Sequence, residues 1–191
     1  MIRRCYNKHI ESGSILVGGK YLSYRDALQH VPFVLIQFYY NPRDCSYNLD
    51  LKKYRRLCLD FADTVLHEVI HIRQYRRRKF KPKPDYISES TVNWRRKEQQ
   101  YLGNEDEIQA YAFNIACDLN DKFKSDYANI ISYLNKTQGE RKCKKFTVWQ
   151  RYLHAFEYDH KHDVIKRLKK EVIRYLSRAA RGRPYVSKMD R

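Results

Sequence analysis

Glycine and proline are scarce, 6 and 5 among 191 residues, which excludes a collagen-like repeat and a low-complexity disordered chain. Long apolar runs are missing as well. The longest, Val31 to Tyr40, is interrupted by Pro32 and Gln37 and is about half the length a helix needs to cross a bilayer, so no membrane partner is expected. The five cysteines, Cys5, Cys45, Cys58, Cys117 and Cys143, are odd in number and form no C-x-x-C pair. That excludes a zinc knuckle and a dithiol redox couple, and fits a reducing, cytoplasmic setting. The N-terminus has the basic start of a secretory leader, but Glu11 arrives before any continuous apolar region, and export is not expected. Acidic residues are outnumbered, 22 against 39 Lys and Arg, for a formal charge of +17. Such a chain attracts polyanionic neighbours.

What is present suffices for a folded core: 42% apolar and 14% aromatic residues, in a length that suits one domain with a helical extension. Ser14 to Leu22 carries Gly18-Gly19, which reads as a turn, and Ser23 opens a short helix that Pro32 stops. Phe33 to Tyr40 is the best strand, closed by Asn41-Pro42, and Tyr47 to Leu51 alternates like a second one. From Leu51 to Arg78 the spacing becomes helical, ending in Arg76-Arg77-Arg78-Lys79 before Pro82. Residues 81 to 103 read as a long connection with a short helix over Val92 to Leu102. From Asn104 to Ala180 the pattern is helical, with breaks near Asn120 to Ser125, Asn135 to Arg141 and Asp159. Residues 181 to 191 form a basic tail.

The long helix contains His67-Glu68-Val69-Ile70-His71, an H-E-x-x-H sequence. Four residues is just over one turn, so the two imidazoles project from the same side and can reach one ion. Glu68 stands beside that face as a general base for a water that the ion acidifies. On a helical wheel Phe61, Ala62, Val65, Leu66, Val69, Ile70 and Ile72 fill about half the circumference. His67 and His71 lie near the centre of the other half with Asp60, Asp63 and Gln74, away from the expected core face.

A catalytic metal needs a third protein ligand and an open position. Glu107 heads a polar stripe with Tyr111, Asn114 and Asp118, opposite an apolar side of Ile108, Ala112, Ile115, Ala116 and Leu119. It is therefore the candidate ligand, with Tyr111, Asn114 and Asp118 as supporting groups that orient ligand imidazoles. Asn104-x-x-Glu107 also reads as a capping box, in which the carboxylate merely closes the helix start.

These residues resemble the zincin metallopeptidases whose H-E-x-x-H helix is completed by a Glu on a later helix. Glu107-x-x-Ala110-x-x-Phe113 is similar to the E-x-x-A-x-x-F segment of the ImmA/IrrE-type metallopeptidases of phages and mobile elements. The resemblance covers about a third of the chain and implies a Zn2+ ion held by His67, His71 and Glu107, with Glu68 as catalytic base and a peptide or protein substrate. It further implies an α+β fold: a zincin-like core over 1–122, a helical basic extension over 123–180, and the tail. Within that core an edge strand, here Phe33 to Tyr40, receives the substrate by strand addition. A second donor to the oxyanion is expected among Tyr101, Tyr111, His154 and Tyr158. The implied location is the cytoplasm of a host cell, or a virion.

Basic runs recur, among them Arg76, Arg77, Arg78 and Lys79, then Arg95, Arg96 and Lys97, interleaved with tyrosines, 17 in all. Aromatic faces beside Lys and Arg suit stacking and phosphate contact, so nucleic acid is a candidate partner. The alternative to a peptidase acting near nucleic acid is a non-catalytic basic protein, bound to nucleic acid, a virion or a ribosome, with a structural or vestigial metal site.

Overall fold

The computed structural model describes residues 2–6, 10–22, 33–44, 46–81, 94–136 and 147–180; the short helix after Ser23, the tail and most of the 81 to 103 connection lie outside them. The chain divides into two compact units, Met1–Pro82 and Lys83–Arg191. The boundary therefore falls at 82/83 and not at the expected 122/123, because the helix that carries Glu107 is part of the second unit's own core. The first unit is a small sheet with one long helix and the second is helical, so the fold is α+β.

In the first unit β1 (Ile2–Tyr6), β2 (Ile15–Leu22) and β3 (Phe33–Tyr40) form a sheet in the order β1-β3-β2. β3 runs parallel to β1, with Ile2 beside Ile36, and antiparallel to β2, with Ile15 beside Tyr40. Its aromatic and β-branched run suits a strand flanked on both sides, and its one polar residue, Gln37, donates from Nε2 to Cys5 Sγ at 3.2 Å. β3 is thus central and is not the edge strand the sequence suggests; among the described residues the edges are β1 and β2.

The expected Gly18-Gly19 turn does not form, since both glycines lie inside β2. A methyl at Gly18 would meet the Tyr39 ring at 2.9 Å, and one at Gly19 would meet Thr64 Cγ2 at 2.6 Å and the Glu68 side chain at 2.9 Å. Neighbouring strand residues face opposite sides, so each glycine admits one close layer: the Tyr39 ring on one face and a helix on the other.

That helix is α1 (Leu51–Arg77). Asp50 caps it, accepting from the Lys53 backbone N–H at 2.8 Å. Tyr47 to Asp50 is consequently the approach to a helix start and not a strand; the Tyr47 ring stands edge-on to Tyr40 at 6.0 Å. The preceding turn is tied by Asp44, which accepts from Ser12 Oγ at 2.5 Å and from Gly13 N–H at 2.8 Å. α1 ends in a Schellman motif: Phe80 N–H reaches Tyr75 O at 2.8 Å and Lys79 N–H reaches Arg76 O at 2.9 Å. Lys79 and Phe80 take φ of 52° and 60°, a conformation usually left to glycine. In this glycine-poor chain two later helices close the same way, at Lys124-Ser125 and at Glu157-Tyr158.

The face α1 turns to the sheet differs from the one the wheel suggests. Phe61 stacks on Phe38 at 6.1 Å, Tyr75 meets Tyr21 edge-on at 5.2 Å, and Thr64 and Glu68 lie against Gly19. The buried residues of α1 are His67, Glu68 and Gln74, while Ala62 and Leu66 are exposed. The histidines are not on a solvated face. Close approach at Gly19 favours the small Thr64 and rotates the broad apolar arc partly toward water.

The second unit comprises α2 (Trp94–Gly103), α3 (Glu105–Lys122), α4 (Tyr127–Asn135), α5 (Val148–Ala155) and α6 (Asp163–Ala180), with the expected breaks near Asn120 to Ser125 and Asp159, while residues 137–146, where most of the break near Asn135 to Arg141 is expected, lie outside the described residues. α3 packs along α6. Ala112 and Ala116 are fully buried, as are Ile108, Ile115, Leu168 and Val172, each of these four contributing about 1.5–3 kcal/mol of transfer free energy. Phe113 closes on Tyr175 at 5.6 Å between ring centroids. α5 is joined to α2 by Gln99 Nε2 donating to Ala155 O at 2.8 Å.

Candidate metal centre

The helical spacing of the H-E-x-x-H sequence does what four residues in an α-helix must do. His67 Nε2 and His71 Nε2 stand 3.1 Å apart, with the rings edge-on. Two nitrogens bound at 2.0–2.1 Å to one tetrahedral ion stand about 3.3 Å apart, so this donor pair fits zinc. Gln74 Oε1 lies 2.8 Å from His71 Nδ1. An amide oxygen only accepts, which places the His71 proton on Nδ1 and a lone pair on Nε2, the atom that would bind metal. Gln74 sits three residues after His71 on the same polar face, and that spacing was the available signal for its role.

Glu68 is 5% exposed and lies with its side chain against the Gly19 backbone of β2. The edge strand and the candidate base are therefore in direct contact. Nothing in the local sequence announces this, because a glycine pair reads first as a turn. A side chain at Gly19 would have to displace Thr64 and Glu68 together.

Glu107 belongs to the second unit, in the first turn of α3. The capping box is not the arrangement there. Asn104 accepts from the Asp106 N–H at 2.9 Å, and its own N–H donates to Tyr101 O at 3.1 Å. The Tyr101 and Tyr111 hydroxyls stand 3.2 Å apart. Arg151 donates from Nη1 to the Tyr111 hydroxyl at 3.4 Å and from Nε to Glu98 Oε1 at 2.9 Å. Burial, then the neighbouring Tyr111 and Glu107, pushes Tyr101 far above the usual phenol range. Burial and Glu107 also raise Tyr111, with Arg151 opposing. Both phenols stay protonated.

Of the other stripe residues, Tyr111 joins the Glu107 cluster, Asn114 is buried, and Asp118, expected as a supporting group, is exposed. Among the candidates for a second oxyanion donor, Tyr101 and Tyr111 are engaged with each other, and His154 is exposed with its ring edge-on to Tyr158. Arg151 and Glu98 were not legible as site residues, since an ion pair between helices 53 residues apart in the chain leaves no periodic trace.

The basic candidates divide by unit. Arg76, Arg77 and Lys79 are exposed at the end of α1, and Arg78 lies over the Tyr75 ring at 4.9 Å. Cations at a helix C-terminus also complement its dipole. Arg96 is exposed and Lys97 half-buried on α2; the side chain of Arg95 lies outside the described residues. No helix among the described residues is long and apolar enough to cross a membrane. No protein-family model, curated protein or solved structure matches the chain.

Proposed function

We propose that the chain is a zinc-dependent peptidase of zincin-like construction. The observation that carries this reading is the 3.1 Å convergence of His67 Nε2 and His71 Nε2 with Gln74 setting the tautomer of the second ring. His67 and His71 would hold the ion, with Glu107 as the proposed third ligand. A zinc ion bound by such a set lowers the pKa of water and polarises a substrate carbonyl.

The protein's own part falls to Glu68 and β2. Glu68 accepts a proton from the attacking water and delivers it to the departing amine, as a buried carboxylate beside the histidine pair is placed to do. The outer edge of β2 binds an extended peptide by strand addition, which brings a backbone carbonyl alongside the Gly19–Glu68 contact. Glu68→Gln keeps one zinc per chain and loses peptide cleavage by about 10²–10⁴-fold, whereas His71→Ala loses the zinc. Undiminished cleavage by Glu68→Gln overturns the assignment of the base.

A second reading is favoured by Arg76, Arg77 and Lys79, three exposed cations within four residues in a chain of +17: a basic protein that binds nucleic acid, with or without catalysis. Its affinity for arbitrary duplex DNA then falls steeply between 50 and 200 mM salt, by about 10³-fold for six phosphate contacts. A flat salt dependence removes this reading and leaves the peptidase untouched.

A further inference from the structure

We infer that the exposed apolar stripe on the first half of α1 is a docking surface for an acidic amphipathic helix of a partner protein. It concerns the first unit alone and does not depend on the zinc reading.

α1 has two faces. Phe61, Thr64 and Glu68 turn to the sheet. At about 100° per residue, Leu51, Cys58, Leu59, Ala62 and Leu66 cluster about 130° round the helix from them. All five are exposed, and Leu51, Leu59 and Leu66 leave 65%, 60% and 42% of their surface to solvent. Single apolar side chains scatter over any protein surface, whereas a contiguous row of leucines marks a contact. The row from Leu51 to Leu66 is about 22 Å long, or about four turns. Its middle is low, since Cys58 and Ala62 are small, and a trough between leucines is the shape that receives the ridge of another helix.

Charge selects the occupant. Lys52, Lys53 and Arg55 are exposed in the first two turns of α1, where the helix dipole disfavours cations, and the first turn holds no acid. Nearby carboxylates are already engaged: Asp50 caps the helix, and Asp60 takes Arg56 Nε at 2.9 Å. Arg55 lies within the leucine row itself, so whatever fills the row must also meet a cation. A second copy of the chain does not, because antiparallel pairing of Leu51 with Leu66 sets Arg55 against Ala62, and parallel pairing sets it against another Arg55. A bilayer would draw Arg55 toward its apolar layer along with the leucines, and the phosphates of nucleic acid offer leucines no apolar contact. A helix with leucines at every third or fourth position and glutamates beside them satisfies both the row and its cations.

The test adds a fluorescein-labelled synthetic helix of about 18 residues, with that leucine and glutamate pattern, to the full chain and follows anisotropy. A control peptide carries lysine in place of each glutamate. The glutamate peptide binds, less tightly as salt rises, and the lysine peptide binds at least about 10-fold more weakly. Leu59→Gln and Leu66→Gln remove side chains that are already exposed, so the unfolding midpoint stays at the wild-type value while peptide affinity falls by about 10-fold or more. Arg55→Glu weakens the glutamate peptide and improves the lysine peptide, a reversal that a merely destabilised helix does not give. Bound peptide also slows alkylation of Cys58, an exposed thiol, as read by mass spectrometry. Tyr127→Ala, at an exposed aromatic of α4, changes none of these readouts. No binding of the glutamate peptide, or binding that Leu59→Gln leaves within twofold of wild type, overturns the inference. Protection of Cys58 by phosphatidylserine vesicles but not by the peptide overturns it in favour of a membrane surface. Protection that rises with protein concentration alone, alongside a dimer in sedimentation, overturns it in favour of a second copy.

Discussion

Two helix starts in the second unit carry the same four-residue signature and use it differently. At α5, Thr147 N–H donates to Gln150 Oε1 at 2.9 Å and Gln150 N–H donates back to Thr147 Oγ at 3.4 Å, a closed capping box. At α3, Asn104-x-x-Glu107 offers the same pieces, yet Asn104 caps the Asp106 N–H and Tyr101 O takes the Asn104 N–H, so the Glu107 carboxylate is not part of the cap. A fourth group supplied by the preceding helix relieves Glu107 of its local duty. The comparison teaches that an acid at the third helical position is a cap only if nothing nearby serves the cap better. When something does, the acid is available for chemistry.

Substitution at the two starts breaks this comparison in opposite ways. Glu107→Gln, which keeps the shape but not the charge, reduces zinc affinity by at least about 100-fold and shifts unfolding of the metal-free chain by under about 0.5 kcal/mol. Thr147→Ala does the reverse, with destabilisation of about 1 kcal/mol and no change in zinc affinity. Chelator competition and denaturant titration on both variants decide the matter; equal stability losses at the two positions would make Glu107 an ordinary cap. Asp44 sharpens the contrast as a carboxylate in plainly structural use. Hydrogen bonds from Ser12 Oγ and then Gly13 N–H hold it below its ordinary value of 3.8. Its contribution is fully present above the unfolded carboxylate pKa and is lost as pH falls through the lower folded value. Stability curves below pH 4 should therefore be steeper for wild type than for Asp44→Asn, a small effect at an exposed turn.

Local periodicity accounts for what was legible. The described helical spans, the breaks near Asn120 to Ser125 and Asp159 and the pairing of His67 with His71 follow from spacing within a few residues, and the structure forms them where the pattern indicates. Gln74 was on the polar face beside Asp60 and Asp63, and only the coordinates single it out. β1 was missed because Ile2-Arg3-Arg4-Cys5-Tyr6 has no alternation, and its strand character depends on β3 beside it. The wheel misjudged α1 for a related reason. An apolar arc from Phe61 to Ile72 says which side chains prefer burial, but the contact line is set by where a neighbouring backbone can approach, and Gly19 allows that at Thr64 and Glu68.

By itself the amino-acid order determined the α+β composition, the one-turn offset of the two imidazoles and the candidacy of Glu107, because backbone hydrogen bonding fixes 3.6 residues per turn whatever surrounds the helix. Tertiary structure alone decided that Phe33 to Tyr40 is the middle strand, that Gly18-Gly19 is strand and not turn, and that the Asn104 N–H goes to Tyr101 O instead of Glu107. Those outcomes depend on groups far apart in the chain competing for the same hydrogen bonds and the same space, and no short stretch of sequence contains both competitors.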